Sequence, residues 1–340
     1  MAIINGTPGS DFLVSNNPGD TLNGLDGDDS LDAQGGFSTL NGGDGNDALY
    51  GSWLLGIPGP GYDILNGDAG NDYMIAGGGN STLNGGEGDD YLQADLGFNT
   101  LNGDAGNDTL YGLGGNSTFN GGEGDDVLQA DLGNNTLNGG AGNDALILAS
   151  VDGGSGNVLD GGDGDDILQV ANDNNTANGG AGNDILAAVF GYGNLLSGGD
   201  GDDTFYIYSS SGNTLSGGGG HDVFQFGAAA SDNVIVDFAR HGPGNSHGNV
   251  EDVLDLRALF AIEYGVASYP HPGNHPLAWL VKNGYLMVDS TEDLAGGEAK
   301  DTVVMVDPDG FAGPGEAFTV VTLLDVTLST TGYDSDNWLV

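Results

Sequence analysis

A nine-residue pattern, G-G-x-G-x-D-x-L-x, appears in the stretch Gly85-Gly86-Glu87-Gly88-Asp89-Asp90-Tyr91-Leu92-Gln93 and recurs over the first two thirds of the chain. Its twelve copies begin at Gly6, Gly24, Gly42, Gly67, Gly85, Gly103, Gly121, Gly139, Gly161, Gly179, Gly198 and Gly217. Most copies are 18 or 19 residues apart. A repeat with a fixed period of this length predicts a solenoid in which each repeat forms one coil.

Each position of the pattern has a physical role. The glycines allow backbone angles that a side chain would forbid, so a tight turn forms. The alternation in Tyr91-Leu92-Gln93 predicts a short strand with Leu92 pointing inward. A second nine-residue segment follows, in which the pattern is degenerate; we call such segments degenerate or alternate nines. It ends in Thr100-Leu101-Asn102, which predicts a second short strand. One coil is therefore turn, strand, turn, strand, and successive coils stack as parallel strands about 4.8 Å apart.

The aspartate that closes each turn is the candidate metal ligand. These residues are Asp11, Asp29, Asp47, Asp72, Asp90, Asp108, Asp126, Asp144, Asp166, Asp184, Asp203 and Asp222. Stacking places these aspartates in one file. Carboxylates at such short distances repel one another unless a cation lies between them. Calcium fits because it takes six to eight oxygen ligands, whereas magnesium prefers a rigid octahedron and retains its waters. The chain has no cysteine and the repeats have no histidine cluster, so zinc, copper and iron–sulfur sites have no ligands there.

The nine-residue copies resemble the RTX nonapeptide of type-I-secreted bacterial proteins. The resemblance covers residues 5–226 and implies an all-β fold: a right-handed parallel β-roll of about 12 coils of 18 residues. It also implies that each calcium ion is held between consecutive turns by the sixth-position aspartates and by backbone carbonyls. The chain departs from the family in its alternate nines, which carry Asn or Ser in place of the aspartate. We therefore expect one calcium column, with the other edge closed by Leu96, Leu113, Leu132 and small polar residues.

Composition sets further bounds. Fifty acidic residues face four basic ones, for a formal net charge of −46, and all four cations lie beyond residue 239. Such a charge excludes nucleic acid and anionic membranes as partners. High charge and 67 glycines indicate disorder in the metal-free chain, so we expect folding and calcium binding to be one event. The first residues have no basic or apolar run, which predicts no cleaved signal peptide, and no apolar stretch is long enough to span a membrane.

Insertions and surface patterns distinguish the coils. Seven extra residues around 51–62, including Trp53, and four extra residues within 149–157 both interrupt degenerate nines, so we expect them at the calcium-free edge. The Trp53 loop either covers the roll or makes a contact. One face carries Thr-x-Asn pairs in seven coils, from Thr21/Asn23 to Thr176/Asn178. The other carries Tyr50, Tyr73, Ile75, Tyr91, Tyr111, Ile147, Ile167, Ile185 and Tyr206, which is either an interacting surface or ordinary strand composition.

The period stops after residue 226, and residues 227–340 are predicted to form a second, β-rich domain. Strands are expected at 233–238, 302–306 and 318–328, a strand end or short helix at 251–260, and a hairpin at 279–289 around Asn283-Gly284. The run V-I-V-D-F … D-V-L-D-L and the end Asp336-Asn337-Trp338-Leu339-Val340 resemble the C-terminal domain of RTX proteins. That resemblance implies an uncleaved type I export signal and a cap on the roll.

Catalytic motifs are not found in the sequence. The paired carboxylates, such as Asp89/Asp90, are explained by the repeated turn, and the five histidines form no H-E-x-x-H. Asp307-Pro308-Asp309-Gly310 lacks the later ligands of an EF-hand and is predicted to be a turn. We therefore expect no enzyme.

Three functional hypotheses remain. The first is a secreted, calcium-binding β-roll protein of a Gram-negative bacterium that folds in extracellular calcium and has a structural or adhesive role at a surface or in a matrix. The type I secretion machinery is its expected partner during export, and self-association or a surface ligand would use the Tyr/Ile face. The second is an ice-binding protein that uses the Thr-x-Asn face. The third is the export and folding module of a larger RTX toxin, lipase or protease.

Overall fold

The structure is a computed structural model that describes residues 1–52, 62–77, 79–149, 154–227, 230–238, 252–255, 286–289, 302–306, 318–323 and 338–339. By their internal contacts, the residues form two compact units, Met1–Ala171 and Asn172–Val340. Each unit is built from short strands, and the described residues contain no helix. No helix of the described chain is long and apolar enough to cross a membrane.

The first unit contains two parallel sheets. Its strands are β1 (Ile3–Asn5), β2 (Phe12–Ser15), β3 (Thr21–Asp26), β4 (Ser30–Ala33), β5 (Thr39–Asp44), β6 (Ala48–Tyr50), β7 (Ile64–Ala69), β8 (Tyr73–Ala76), β9 (Thr82–Glu87), β10 (Tyr91–Ala94), β11 (Thr100–Ala105), β12 (Thr109–Gly112), β13 (Thr118–Glu123), β14 (Val127–Ala130), β15 (Thr136–Ala141), β16 (Ala145–Leu148), β17 (Val158–Asp163) and β18 (Ile167–Val170). The odd-numbered strands form one sheet and the even-numbered strands the other, each in sequence order. The chain therefore alternates between two sheets, one coil for each pair of strands.

The register of neighbouring strands follows the sequence repeat. Thr100 pairs with Thr82 and Thr118, and Leu92 pairs with Met74 and Leu110, so equivalent positions of successive coils stack. This register explains why an 18-residue period is required: a slip of one residue would turn every inward side chain outward. The predicted all-β parallel solenoid of about 12 coils is confirmed.

In the second unit, parallel strands again alternate between two sheets, and antiparallel strands follow them in one sheet. Its strands are β19 (Thr176–Ala181), β20 (Ile185–Ala188), β21 (Gly191–Tyr192), β22 (Leu195–Asp200), β23 (Thr204–Ile207), β24 (Ser210–Ser211), β25 (Thr214–Gly219), β26 (Val223–Phe226), β27 (Asn233–Ile235), β28 (Val253–Asp255), β29 (Leu286–Asp289), β30 (Thr302–Val306), β31 (Phe318–Leu323) and β32 (Trp338–Leu339). One sheet has the order β19-β22-β25-β27-β31-β30-β29 and the other β20-β23-β26-β28-β32, while β21 pairs with β24. Strands β29, β30 and β31 are antiparallel, so the parallel ladder of the first sheet ends in a meander.

The core consists of the inward-pointing apolar residues of the strands, of which most strands contribute one or two. In the first unit Leu22, Leu40, Leu65, Leu83, Leu101, Phe119, Leu137 and Leu159 line one sheet, and Leu31, Leu49, Met74, Leu92, Leu110, Leu128, Leu146 and Leu168 line the other, all fully buried. In the second unit Phe205 and Phe224 stack with ring centroids 4.7 Å apart. Leu92 and Leu101 point inward as predicted. The core is thus narrow, because each coil contributes only a few side chains to it.

Gly112 shows how tightly this narrow core is packed. Its register partners on β10 and β14 are Ala94 and Ala130, so an alanine would be expected there. A Cβ atom added to Gly112 would lie 2.4 Å from Cζ of Phe119. Phe119 occupies the place that a leucine takes in the neighbouring coils, and its ring reaches across to the opposite strand. The glycine at 112 compensates for the larger side chain at 119.

The two sheets present different outer faces. On the first sheet the threonines and asparagines of the Thr-x-Asn pairs are half-buried and stack in register. On the second sheet Tyr73 and Tyr91 stack with ring centroids 5.0 Å apart, and Ile167, Ile185 and Tyr206 are exposed. Ice binding by the Thr-x-Asn face stays a prediction, which a thermal hysteresis measurement on the calcium-loaded protein would test.

Several expectations about loops and the last third can be compared with the structure. Ser52 and Asp63 flank the longer insertion and are buried at the edge opposite the turn aspartates, as predicted. Residues 53–61, which include Trp53, and residues 150–153 lie outside the described residues. Strand β27 falls within the predicted strand, residues 253–255 form a strand rather than a helix, and β30 has the predicted bounds. Residues 286–289 pair with β30, while the Asn283-Gly284 turn lies outside the described residues. The division after residue 226 stays a prediction.

We expect Gly112→Ala to destabilise the protein by about 1–3 kcal/mol, because the added methyl group overlaps the Phe119 ring. The same change in a Phe119→Leu background should cost much less, since leucine restores the packing of the neighbouring coils. Thermal unfolding of the wild type, both single variants and the double variant in calcium would measure the coupling. Additive effects of the two changes would contradict this packing explanation.

Candidate functional site

The predicted aspartates lie in files along one edge of each unit. Each residue immediately precedes a strand of the second sheet, as Asp90 precedes β10, so its position is fixed where the turn ends. The first unit contains Asp11, Asp29, Asp47, Asp72, Asp90, Asp108, Asp126, Asp144 and Asp166, and the second unit contains Asp184, Asp203 and Asp222. All except Asp11 are buried, with at most 3% of the residue surface exposed. The structure therefore brings the predicted residues of each unit together.

From Asp29 to Asp166, and at Asp203 and Asp222, one carboxylate oxygen accepts a hydrogen bond from a backbone amide of the preceding coil. The backbone amide of Asp72 donates to Oδ1 of Asp90, and the amide of Asp90 donates to Oδ1 of Asp108, at 2.7 and 2.8 Å. The same bond links successive aspartates from Asp11 to Asp166 in the first unit, with lengths of 2.6–2.8 Å. In the second unit it links Asp184, Asp203 and Asp222 at 2.8 and 3.0 Å. Each carboxylate is thereby held in a fixed orientation.

The other oxygen has no such partner in most of the file. Oδ2 is buried and accepts no hydrogen bond in Asp29, Asp47, Asp72, Asp90, Asp108, Asp126, Asp144 and Asp203. This oxygen points at the glycine five residues earlier: a Cβ atom added to Gly85 would lie 2.2 Å from Oδ2 of Asp90 and 2.6 Å from the carbonyl oxygen of Gly103. A carboxylate oxygen and a carbonyl oxygen of the next coil thus face the same space, which only glycine leaves open.

Burial also shifts the acidity of the file. Desolvation, reinforced by neighbouring carboxylates, raises the pKa of these aspartates. The pKa is about 7 for Asp72, Asp90, Asp126 and Asp203 and about 6 for Asp47, Asp108 and Asp222. The hydrogen bond from the backbone amide of the preceding coil opposes the shift. Desolvation likewise raises the pKa of Asp144. Without a cation, these buried carboxylates therefore take up protons at a pH well above the usual range of an aspartate.

These donors fit a hard cation. Calcium binds carboxylate and carbonyl oxygens, and here an oxygen of each kind converges beside a glycine in coil after coil. Among the described residues no three His, Cys, Asp or Glu side chains form a metal cluster. The other oxygen atoms that the structure places beside Oδ2 are backbone carbonyls, such as that of Gly103 beside Asp90. His221 is exposed and its amide donates to Asp202, whereas the other histidines and the Asp307–Gly310 turn lie outside the described residues.

The ends of the files differ from their middles. Oδ2 of Asp11 already accepts hydrogen bonds from the amide and the hydroxyl of Thr7. In the second unit the amide of Asp222 donates to Oδ1 of Asp252 at 3.1 Å, so Asp252 extends the file by one residue. Asp252 is not predicted as a member of the file by the nine-residue pattern, because no glycine repeat precedes it in the sequence. The signal was present in Asp252-Val253-Leu254-Asp255, which keeps the D-x-L-x half of the pattern.

The opposite edge is closed by a file of small polar residues and not by leucines. Buried residues there are Asp20, Ser38, Asp63, Ser81, Asn99, Ser117, Asn135 and Asn157 in the first unit and Asn175, Asn194, Asn213 and Asn233 in the second. The expectation of Asn or Ser in this position was therefore wrong for Asp20 and Asp63. The amide of Ser81 donates to Oδ1 of Asn99 at 2.9 Å, repeating the aspartate arrangement. Leu96 and Leu132 are 50% and 39% exposed and Leu113 is half-buried, so the prediction that leucines close this edge was wrong. The inward position needs a hydrogen-bond acceptor for the amide of the preceding coil, which leucine lacks.

Comparison with known families agrees with this geometry. The profile of the RTX calcium-binding nonapeptide repeat (four copies) matches residues 5–40, 23–53, 59–83, 84–119, 112–146, 151–186, 190–206 and 209–230, which together span more than half of the chain. The chain belongs to this RTX family. The family is calcium-binding by its description, and the buried carboxylates of the RTX turns described above are suited to that ion.

Two further comparisons accompany this assignment. The solution structure of the AlgE6R3 subunit from the Azotobacter vinelandii mannuronan C5-epimerase is similar over 53% of the RTX chain and 80% of that subunit, with 24% sequence identity and a TM-score of 0.19. A search of curated proteins gave no match.

The raised pKa values predict that the metal-free RTX roll becomes more stable on acidification. The folded state then binds more protons than the unfolded state between the unfolded pKa of about 4 and the folded values of about 6 to 7, so stability falls as pH rises through this window and is fully present below it. We expect metal-depleted protein to gain far-UV β signal between about pH 8 and pH 5. A signal independent of pH over that range would contradict the buried, cation-free carboxylates.

Proposed function

We propose that calcium ions bind in columns along the aspartate edge and that this binding folds the chain. The ligands are Oδ2 of the twelve turn aspartates and the carbonyl oxygens of the adjacent turns, with roughly one ion for each pair of neighbouring turns. The observation that carries the proposal is the row of buried carboxylate oxygens without donors, each beside a glycine that leaves room for an ion. Asp252 is the candidate ligand at the end of the second file.

Charge explains why the metal would control folding. No lysine or arginine occurs before residue 240, so no cationic side chain of the repeats can neutralise the files. In the described residues, the ion pair found joins the N-terminal amino group to Asp20 at the opposite edge, 3.6 Å apart. A buried carboxylate without a counter-charge is costly. Divalent ions between the turns remove this cost, which couples binding to folding.

The proposed role is non-enzymatic and extracellular: a calcium-braced roll that serves as a structural or adhesive component of a surface or matrix. RTX membership supports export by a type I system, in which the chain crosses unfolded and folds where calcium is plentiful. The C-terminal strands β27–β32 would carry the export signal and cap the roll. Expression with and without a type I exporter would test this, and equal amounts of the chain in the medium in both cases would contradict type I export.

The calcium proposal predicts different outcomes for two neighbouring aspartates. Asp90→Asn replaces the carboxylate that carries the buried Oδ2 by an amide and should remove at least one bound ion, since Oδ2 faces the space beside Gly85. Asp89→Asn removes the same charge from the same turn at an exposed residue whose Oδ1 only accepts from the Asn107 amide, so stoichiometry should not change.

The measurement is a calcium titration followed by far-UV circular dichroism and by isothermal calorimetry, with magnesium as the ion control. We expect a cooperative coil-to-β transition in calcium and none in magnesium. If Asp89→Asn and Asp90→Asn lowered the stoichiometry equally, the effect would be one of general charge, and the assigned ligands would be wrong. A chain fully folded in chelator at neutral pH would show that calcium does not drive folding.

A further inference from the structure

Eight asparagines of the first unit form a continuous ladder on the outer face of the first sheet. They are Asn5, Asn23, Asn41, Asn66, Asn84, Asn102, Asn120 and Asn138. From Asn23 onward, each side-chain Nδ2 donates to Oδ1 of the asparagine in the preceding coil, at 2.6–2.7 Å. We refer to these eight residues as the asparagine ladder. They belong neither to the aspartate file nor to the core.

Every residue of the asparagine ladder is followed by glycine, from Asn5-Gly6 to Asn138-Gly139. In a flexible chain this dipeptide is chemically labile. The glycine amide nitrogen attacks Cγ of the asparagine, a C–N bond forms, and the Cγ–Nδ2 bond breaks with loss of ammonia. Water then opens the cyclic imide to aspartate or isoaspartate. Glycine favours this reaction because no side chain hinders the approach of its nitrogen.

We propose that the asparagine ladder is a set of deamidation sites that the folded roll protects and the unfolded chain exposes. In the roll the leaving nitrogen Nδ2 is held by a hydrogen bond and the backbone is extended within a strand, which keeps the attacking nitrogen away from Cγ. The nucleophile is engaged as well, as the amide of Gly6 shows by donating to the carbonyl of Asn23 at 2.8 Å. Reaction then requires local opening of the coil.

Deamidation would also damage the calcium edge. A carboxylate at position 84 would have no hydrogen to donate to Asn66, so it would interrupt the ladder. Isoaspartate adds a backbone atom directly before Gly85, the glycine that faces Oδ2 of Asp90. Both products disturb a turn whose geometry depends on the absence of extra atoms. Deamidation would therefore accumulate while the chain is unfolded, and it would irreversibly reduce the ability of the chain to fold.

The ladder ends at Asn5, which predicts unequal rates in the folded protein. Asn5 is exposed, and within the described part of the chain its Nδ2 donates to no other group, although its Oδ1 accepts from Asn23. Asn41 to Asn120 each have a bonded Nδ2 and a bonded Oδ1. In the calcium-loaded roll Asn5 should react fastest, whereas in the unfolded chain all eight should react at similar rates.

The test is peptide mapping by mass spectrometry of the full chain after incubation at mildly alkaline pH, in calcium and separately in concentrated urea. We expect deamidation of Asn41 to Asn120 to be at least about tenfold slower in calcium than in urea, because reaction needs the coil to open. Asn71, which is followed by Asp72, is the sequence control that should change little in either condition. The urea arm makes the comparison independent of whether calcium drives folding. Equal rates in calcium and in urea would overturn the proposal.

A variant separates the side-chain ladder from the strand backbone. Asn66→Ala removes the acceptor of Asn84, and loss of one hydrogen bond should raise the deamidation rate of Asn84 in calcium by about fivefold, while Asn120 is unaffected. Thr82→Ala changes the same strand and face without touching the ladder and is the matched control. An unchanged rate at Asn84 in Asn66→Ala, with a wild-type circular dichroism spectrum, would contradict protection by the ladder.

Discussion

The interaction on which the structure depends is the hydrogen bond from a backbone amide of one coil to a buried side-chain oxygen of the next. It occurs at both edges of the coils, from Asp72 to Asp90 on one side and from Ser81 to Asn99 on the other. The residue that supplies the oxygen always precedes a strand, so the bond sets where the strand begins. Because every coil accepts from one neighbour and donates to another, a single coil has no stable form, which is the behaviour of solenoids.

The two edges differ in the second polar atom of the side chain that accepts this hydrogen bond: the atom is Nδ2 in an asparagine and Oδ2 in an aspartate. Nδ2 of Asn99 donates to the carbonyl of Asp95 and that of Asn135 donates to the carbonyl of Leu132, so an asparagine satisfies its own turn. An aspartate has no hydrogen to donate, and Oδ2 of Asp90 or Asp108 is left facing the carbonyl of the next coil. Hydrogen bonds within the protein therefore satisfy the buried side chains of one edge, whereas the buried carboxylates of the other edge need a proton or a cation. At Asn99 and Asn135 an amide in place of a carboxylate accounts for this asymmetry, whereas both carboxylate oxygens of Asp20 and of Asp63 at the same edge accept hydrogen bonds from the protein.

Much of this architecture is predictable from sequence because it is local and periodic. The aspartate file, the inward Leu92 and Leu101, and the pairing of equivalent positions follow from an 18-residue repeat and the two-residue period of a strand. The closure of the second edge was not predictable from hydrophobicity: Leu96 has the character of a core residue, but a turn places it outside, and Asn99 takes the inward position. Gly112 and Phe119 compensate for each other across the core, and no pattern within one repeat reveals a contact between two strands.

The antiparallel strands β29, β30 and β31 were the least predictable, because β29 pairs with β30 across residues 290–301, and no short-range sequence pattern signals that pairing. Their place in the sheet has a physical consequence. A parallel ladder ends in a strand with free amides and carbonyls, and such an edge can add further coils or another chain. In the second unit the ladder β25-β27-β31 turns antiparallel at β30, which breaks the repeat that a further coil would need for its register. The end of the nine-residue repeat in the sequence and the end of the parallel register in this sheet therefore fall in the same part of the second unit.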